Sequence, residues 1–208
     1  MSTRRVVLVH GIWNMGAWLQ MLAARLRGSG FEPEIFTYAS VFGGPDAAVA
    51  RLRESLARSP CMVVGHSLGG LISLEALRLQ PDLPVSRVVC LGSPLHGSVA
   101  ARAVASRGWT APALGRSAQL LQSGLPEWNC RAQVGMVAGR IAHGLGRLFA
   151  QFDGDSDGTV TVDETRVPGL ADHCVVASSH SGLVFSPEAA AQAAHFLHHG
   201  RFAHDRLA

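Results

Sequence analysis

Apolar positions along the chain alternate between short β-branched runs and longer stretches with helical spacing. Val6-Val7-Leu8-Val9 is an uninterrupted apolar run that stops at His10-Gly11, which predicts a strand buried on both faces. Leu19, Leu22, Ala23 and Leu26 then recur at helical spacing, predicting a helix over 17–27. A second strand is predicted over 34–38, and a helix over 46–58 with Asp46 as its N-cap after Pro45. Cys61-Met62-Val63-Val64 reads as a third strand running straight into Gly65, followed by a helix over 68–79 that ends before Pro81. Further strands are predicted over 87–91, 133–138 and 173–177, and a closing helix over 187–198 with Pro187 in its first turn. Strands and helices in this alternation imply an α/β fold: a mostly parallel sheet with helices on both faces.

One stretch breaks the rhythm. Residues 98–130 carry Trp109, Leu114, Leu120, Leu121, Leu125 and Trp128 in short apolar pieces between prolines, without a strand. An insertion of this kind is expected over the sheet as a small cap or lid. No linker, repeat or low-complexity segment interrupts the remainder, so 1–208 reads as a single domain.

Composition narrows the class. A chain of 208 residues can bury a large core, and 48% hydrophobic against 16% charged residues argues for a folded protein rather than a disordered one. The net charge of +3 comes without a cluster of basic and aromatic residues, so no nucleic-acid interface is expected. No apolar stretch reaches the length of a membrane span, and the four residues after Arg5 are too few for a signal-peptide core. The expected location is cytoplasmic. Cys61, Cys90, Cys130 and Cys174 are scattered with no CxxC pair, which fits reduced, buried thiols.

The strongest chemical signal is Gly65-His66-Ser67-Leu68-Gly69-Gly70, a G-x-S-x-G pattern between a predicted strand and a predicted helix. A serine forced into a sharp strand-to-helix turn needs small neighbours two residues to either side, and Gly65 and Gly69 meet that need. The turn lifts the hydroxyl above the strand ends, where ligands bind in such sheets. In this the chain resembles the α/β-hydrolase family, and more closely its small bacterial lipases and esterases. The resemblance extends over nearly the whole chain, leaving 98–130 unmatched.

The resemblance implies roles for further residues. Val9-His10-Gly11-Ile12-Trp13 at the end of the first strand is similar to the family's His-Gly turn, so Ile12 and Leu68 are implied as the backbone donors of an oxyanion hole. Asp153-Gly-Asp155-Ser-Asp157-Gly158-Thr159-Val160 supports two readings. With Glu164, these aspartates satisfy the spacing of an EF-hand calcium loop, although Pro168-Gly169 leaves no room for a second helix. The family instead places its acid after the penultimate strand in similar D-G-x-V runs, which points to Asp157, with Asp155 and Asp153 as fallbacks. His180, in Ser178-Ser179-His180-Ser181-Gly182, follows the last strand and can serve as general base. It also completes the order Ser…Asp…His.

Several residues carry two readings. His10 and His66 flank the site and are expected to shape it. Trp13, His66 and Leu95 are candidates for the substrate pocket, Leu95 through the Gly92-Ser93-Pro94-Leu95-His96-Gly97 run, which serves equally as a structural turn. Trp13 and Trp18 either line an acyl pocket or pack in the core. His195, His198, His199 and His204 read as a solvated face of the last helix and tail, so no metal is expected. The expected activity is cofactor-free cleavage of a small-molecule acyl ester through Ser67, His180 and Asp157, by way of an acyl-enzyme. A thioesterase or acyltransferase could use the same residues, with Arg102, Arg107 and Arg116 meeting an anionic carrier. A catalytically silent hydrolase fold that binds a ligand is the reading from outside the enzymes.

Overall fold

Six strands pair in the order β2-β1-β3-β4-β5-β6, and every pairing is parallel. The strands are β1 (Arg5–Val9), β2 (Glu32–Phe36), β3 (Cys61–His66), β4 (Val85–Leu91), β5 (Gln133–Gly139) and β6 (Asp172–Val176). The helices are α1 (Gln20–Gly28), α2 (Pro45–Leu56), α3 (Leu68–Leu79), α4 (Val99–Ser106), α5 (Ala118–Ser123) and α6 (Pro187–His199). The computed structural model describes residues 3–12, 16–40, 44–106, 117–142 and 154–204.

Side chains alternate across the sheet as strand geometry requires. Val7 and Val9 of β1 and Cys61 and Val63 of β3 enter the core shared with α2, α3 and the 118–132 region. Val6, Leu8, Met62 and Val64 enter the opposite core, against α1 and α6. Because both faces are covered, the strands carry continuous apolar runs rather than a polar alternation. The sequence-based expectation of a two-sided parallel sheet is therefore met.

Element boundaries differ in instructive places. The expected helix over 17–27 opens as a 3₁₀ turn, Gly16–Leu19, before α1 takes over. Pro45 is the first residue of α2 and Gly44 its N-cap, which moves Asp46 from the cap into the first turn. Proline suits that place because its missing N–H has no helical acceptor there in any case. The second strand starts at Glu32 rather than 34, because Arg5 pairs with Glu32 at the start of the register. The Glu32 N–H bonds inward to the Arg4 carbonyl, so the nitrogen of Pro33 faces away from the sheet and no ladder bond is lost.

Segment 98–130 begins with α4 and continues with α5, and residues 107–116 lie outside the described residues. Ala101, Leu121, Leu125 and Trp128 are buried in the core on the α3 side. Ser98 caps α4 by accepting the Ala101 N–H at 3.1 Å. Among the described residues no helix is long and apolar enough to cross a membrane. Cys61, Cys90 and Cys174 are buried and Cys130 half-buried, all as free thiols.

Candidate active site

The strand order reverses direction at β1 and β3: β2 lies on one side of β1, and β3 with all later strands on the other. Loops leaving the carboxyl ends of two such strands diverge and open a crevice. The β1 loop begins at His10-Gly11 and the β3 loop is the Ser67 corner. They meet there: a Cβ added to Gly11 would sit 3.0 Å from Ser67 Cβ.

Ser67 has φ 55° and ψ −122°, and is the only non-glycine residue with positive φ among the described residues. Such a conformation costs about 1–3 kcal/mol and persists only where the surroundings hold it. Here the Ser67 N–H donates to the Leu91 carbonyl at 2.9 Å, and its own carbonyl accepts from Gly70 N–H at 3.0 Å. The turn closes because its flanks lack side chains. A Cβ on Gly65 would lie 2.6 Å from Gly70 Cα, and one on Gly69 would lie 2.2 Å from the Val9 carbonyl oxygen.

His180 ends the loop after β6 and opens a 3₁₀ turn, Ser181–Val184. Its N–H donates to the Asp157 carbonyl at 3.0 Å, which ties the two loops together by backbone before any side chain is considered. The Asp157 side chain is buried. Its Oδ1 accepts N–H bonds from Thr159 at 2.9 Å and Val160 at 2.8 Å, leaving Oδ2 for His180 Nδ1 at 2.7 Å. Because Nδ1 donates to a carboxylate, Nε2 presents its lone pair to Ser67 Oγ, 3.0 Å away. A hydroxyl, an imidazole and a buried carboxylate so linked can draw the proton from the serine as its oxygen attacks an electrophile.

Two further imidazoles shape this corner. His66 is buried, and its Nε2–H donates to the His180 carbonyl at 3.0 Å. Burial, with the nearby His180 adding to it, pushes its pKa down to about 3, so the ring is neutral. His10 donates from Nδ1 to the Gly11 carbonyl at 2.9 Å, while its Nε2 accepts the Tyr38 N–H at 3.3 Å. Burial lowers its pKa as well, against the opposing bond to Gly11. The Tyr38 hydroxyl donates to the His10 carbonyl at 2.8 Å, and the two rings stack 4.4 Å apart. The backbone entering the β1 loop is thus fixed from both sides.

Of the other residues singled out in the sequence, Leu68 is the first residue of α3, where helix geometry leaves its N–H without an intrahelical acceptor. Ile12 is partly buried against the core beside it. Leu95 is fully buried in the apolar core, and its carbonyl accepts the Leu125 N–H at 2.6 Å. Trp13, Asp153, Arg107 and Arg116 lie outside the described residues. Trp18 is exposed and tilts against Phe185 at 5.9 Å, so it is not packed in the core. The Arg102 guanidinium donates to the Gln122 carbonyl at 3.2 Å.

Among the described residues no α-helix leaves the Asp-rich loop after Glu164, as an EF-hand would require. Glu164 lies in a short 3₁₀ turn, Asp163–Thr165, and its carboxylate, like that of Asp157, is engaged by backbone N–H groups. Among the described residues no group of three or more metal-ligating side chains converges. Tyr38 and Glu164 were not legible as parts of the site. For Glu164 a signal was present: Thr161-Val-Asp-Glu164 has the T-x-x-E spacing of a capping box, overshadowed by the calcium-loop spacing.

A parallel sheet of this order, with a serine on the strand-to-helix corner at its switch point, defines an α/β protein of hydrolase type. The sequence matches the Alpha/beta hydrolase family over residues 6–197, and the chain belongs to that family. No curated protein matches it. Among solved structures it is similar to the mature Bacillus licheniformis lipase BlEst2, with 22% identity over 88% of this chain and 87% of that one and a TM-score of 0.72. It is also similar to the metagenomic carboxyl esterase MGS0156, with 20% identity over 86% of this chain and 65% of that one and a TM-score of 0.62. A third is the phospholipase PlaB of Legionella pneumophila, with 17% identity over 77% of this chain and 45% of that one and a TM-score of 0.60.

Proposed function

We propose that the protein is a serine hydrolase that cleaves a carboxylic ester of a small-molecule acyl substrate. The observation that carries this reading is the chain of hydrogen bonds from Ser67 through His180 to Asp157. His180 takes the Ser67 proton as Oγ attacks the acyl carbonyl, and Asp157 stabilises the imidazolium that forms. The N–H groups of Ile12 and Leu68 meet the oxyanion of the tetrahedral intermediate. His180 then gives its proton to the leaving alcohol, the acyl-enzyme forms, and a water activated by His180 releases the acid. The similarity to structures named as a lipase, a carboxyl esterase and a phospholipase lends weight to an ester over other acyl compounds.

Hydrolysis of p-nitrophenyl esters from acetate to palmitate tests the assignment. Ser67→Ala and His180→Ala are each expected to lower kcat by roughly 10⁴–10⁶-fold while leaving the fold intact. Phosphonate labelling should occur at Ser67, be lost in Ser67→Ala and be much slowed in His180→Ala. A wild-type protein that is labelled yet inert on every ester would redirect the search to thioesters or acyl transfer. One that is neither active nor labelled would overturn the enzyme reading.

A further inference from the structure

Glu164 is a buried carboxylate with no part in the proton relay, and its bonds join two separate segments of the chain. Its Oε2 accepts the Thr161 N–H at 2.7 Å, and its own N–H donates to Thr161 Oγ1 at 3.2 Å, the reciprocal pair of a capping box. Ordinarily the second carboxylate oxygen of such a box faces solvent. Here Oε1 accepts the N–H of Val99, the first residue of α4. The Glu164 carbonyl also accepts the His96 N–H at 2.8 Å. A negative carboxylate against the first turn of a helix is favourably placed for the helix dipole as well as for the bond itself.

The other end of this connection reaches Asp157 within a few bonds. Thr161 pairs with Ser156 in an antiparallel bridge. Val160, next to Thr161, accepts the Asp157 N–H at 3.0 Å and donates to Asp157 Oδ1 at 2.8 Å. The Val162 N–H returns to the Asp155 carbonyl at 2.9 Å. The loop is therefore a small closed unit, and Glu164 joins it to α4.

We propose that Glu164 is a positioning residue that fastens the loop bearing Asp157 to the first turn of α4, so that the alignment of Asp157 with His180 depends on the seating of α4. This rests on the assignment of Asp157 as the orienting acid. Two substitutions break the same bond from opposite ends. Glu164→Gln weakens the acceptor, because its amide offers a single carbonyl oxygen to two N–H donors. Val99→Pro deletes one of those donors, and proline is tolerated at the first residue of a helix.

The experiment measures kcat, KM and the pH profile of kcat/KM for wild type, both single variants and the double variant, with thermal unfolding as a check on folding. Proton NMR follows the far-downfield resonance of the His180–Asp157 hydrogen bond, which can be read whether or not an ester is turned over. Each single variant should lower kcat by on the order of ten- to a hundredfold with KM little changed, the cost of a small misplacement near the reacting groups. The pH profile of kcat/KM should change, because a misaligned carboxylate meets the imidazolium of the transition state less well. The downfield resonance should shift or broaden, and the double variant should be no worse than the poorer single.

Single-variant losses that multiply in the double variant would overturn the proposal. So would losses of kcat with the pH profile and the resonance unmoved, or no loss at all. If wild type is inert on every ester while the resonance still responds to Glu164→Gln, the coupling stands and the ester assignment falls.

Discussion

The corner that carries Ser67 and the loop that carries Asp157 deliver their side chains to one point by opposite means. The Ser67 corner is held by backbone sterics: a strained residue between glycines whose missing Cβ atoms leave room for Gly70 on one side and the end of β1 on the other. The Asp157 loop also meets a glycine, since a Cβ on Gly139 would lie 2.8 Å from Asp157 Cβ, but its own shape is set by other means. It is held by polar bonds, three of them to the Asp157 carboxylate and two to that of Glu164. A part built by close packing tolerates almost no added volume. A part built by hydrogen bonds tolerates volume and fails when a donor or acceptor is exchanged.

This contrast can be broken most severely at Asp157. Asp157→Asn keeps the Oδ1 bonds to Thr159 and Val160 but turns an amide NH₂ toward the His180 ring, favouring the tautomer that cannot accept the Ser67 proton. Steady-state kinetics should show kcat reduced by roughly 10⁴-fold with little loss of stability.

Alanine at two glycines sharpens the comparison. Gly69→Ala drives a methyl group into the Val9 and His10 carbonyl oxygens, at 2.2 and 2.6 Å, and should cost about 2–4 kcal/mol in urea unfolding. Gly154→Ala, in the acid loop, has nothing within 4 Å of the new Cβ. It pays only for its φ of 91°, about 1–2 kcal/mol. Equal costs at the two sites would erase the distinction.

The last effect is a slope, modest over any single pH unit. His66 titrates at about 3 in the folded protein against an ordinary imidazole value of 6.5, because burial disfavours its charged form. Above the ordinary value neither state binds the proton, and the contribution is fully present. Below it the unfolded chain takes up a proton that the folded one refuses, so stability falls as the pH drops toward the folded value. The expected slope is about 1.4 kcal/mol per pH unit for one such group. Denaturant titrations from pH 7 to 4 should show that slope reduced in His66→Gln.

The same contrast explains what could be read from the sequence. Glycines at 65 and 69 and an apolar run before them are demanded by sterics, and steric demands leave a mark in the letters. The alternation of Val6–Val9 and Cys61–Val64 with helical stretches announced the parallel sheet for a similar reason: burial on both faces admits few residue types. Hydrogen-bonded parts are less legible, because many polar residues can donate or accept. Thr161 and Glu164 fit a calcium loop and a capping box alike, and only the position of Val99, sixty-five residues earlier in the chain, shows what the second Glu164 oxygen does. Tyr38 left no signal, since its bonds to His10 arise from the register of β2 on β1. Glu-Pro-Glu does not look like the start of β2, because an edge strand needs no apolar pattern on its open side.

That outward-facing Pro33 nitrogen has a consequence for molecules in company. Among the described residues no strand pairs with the outer flank of β2, and such a flank is where a strand from another copy would add itself, since exposed N–H and C=O groups are a template for pairing. At Pro33 the template lacks a donor, and the strand carries Glu32 and Glu34 to either side of the gap. Two such edges brought together would face a missing bond at Pro33, while Glu32 and Glu34 are already met by Arg4 at 3.5 Å and Arg5 at 3.1 Å. A strand added there from another copy would therefore make one ladder bond fewer.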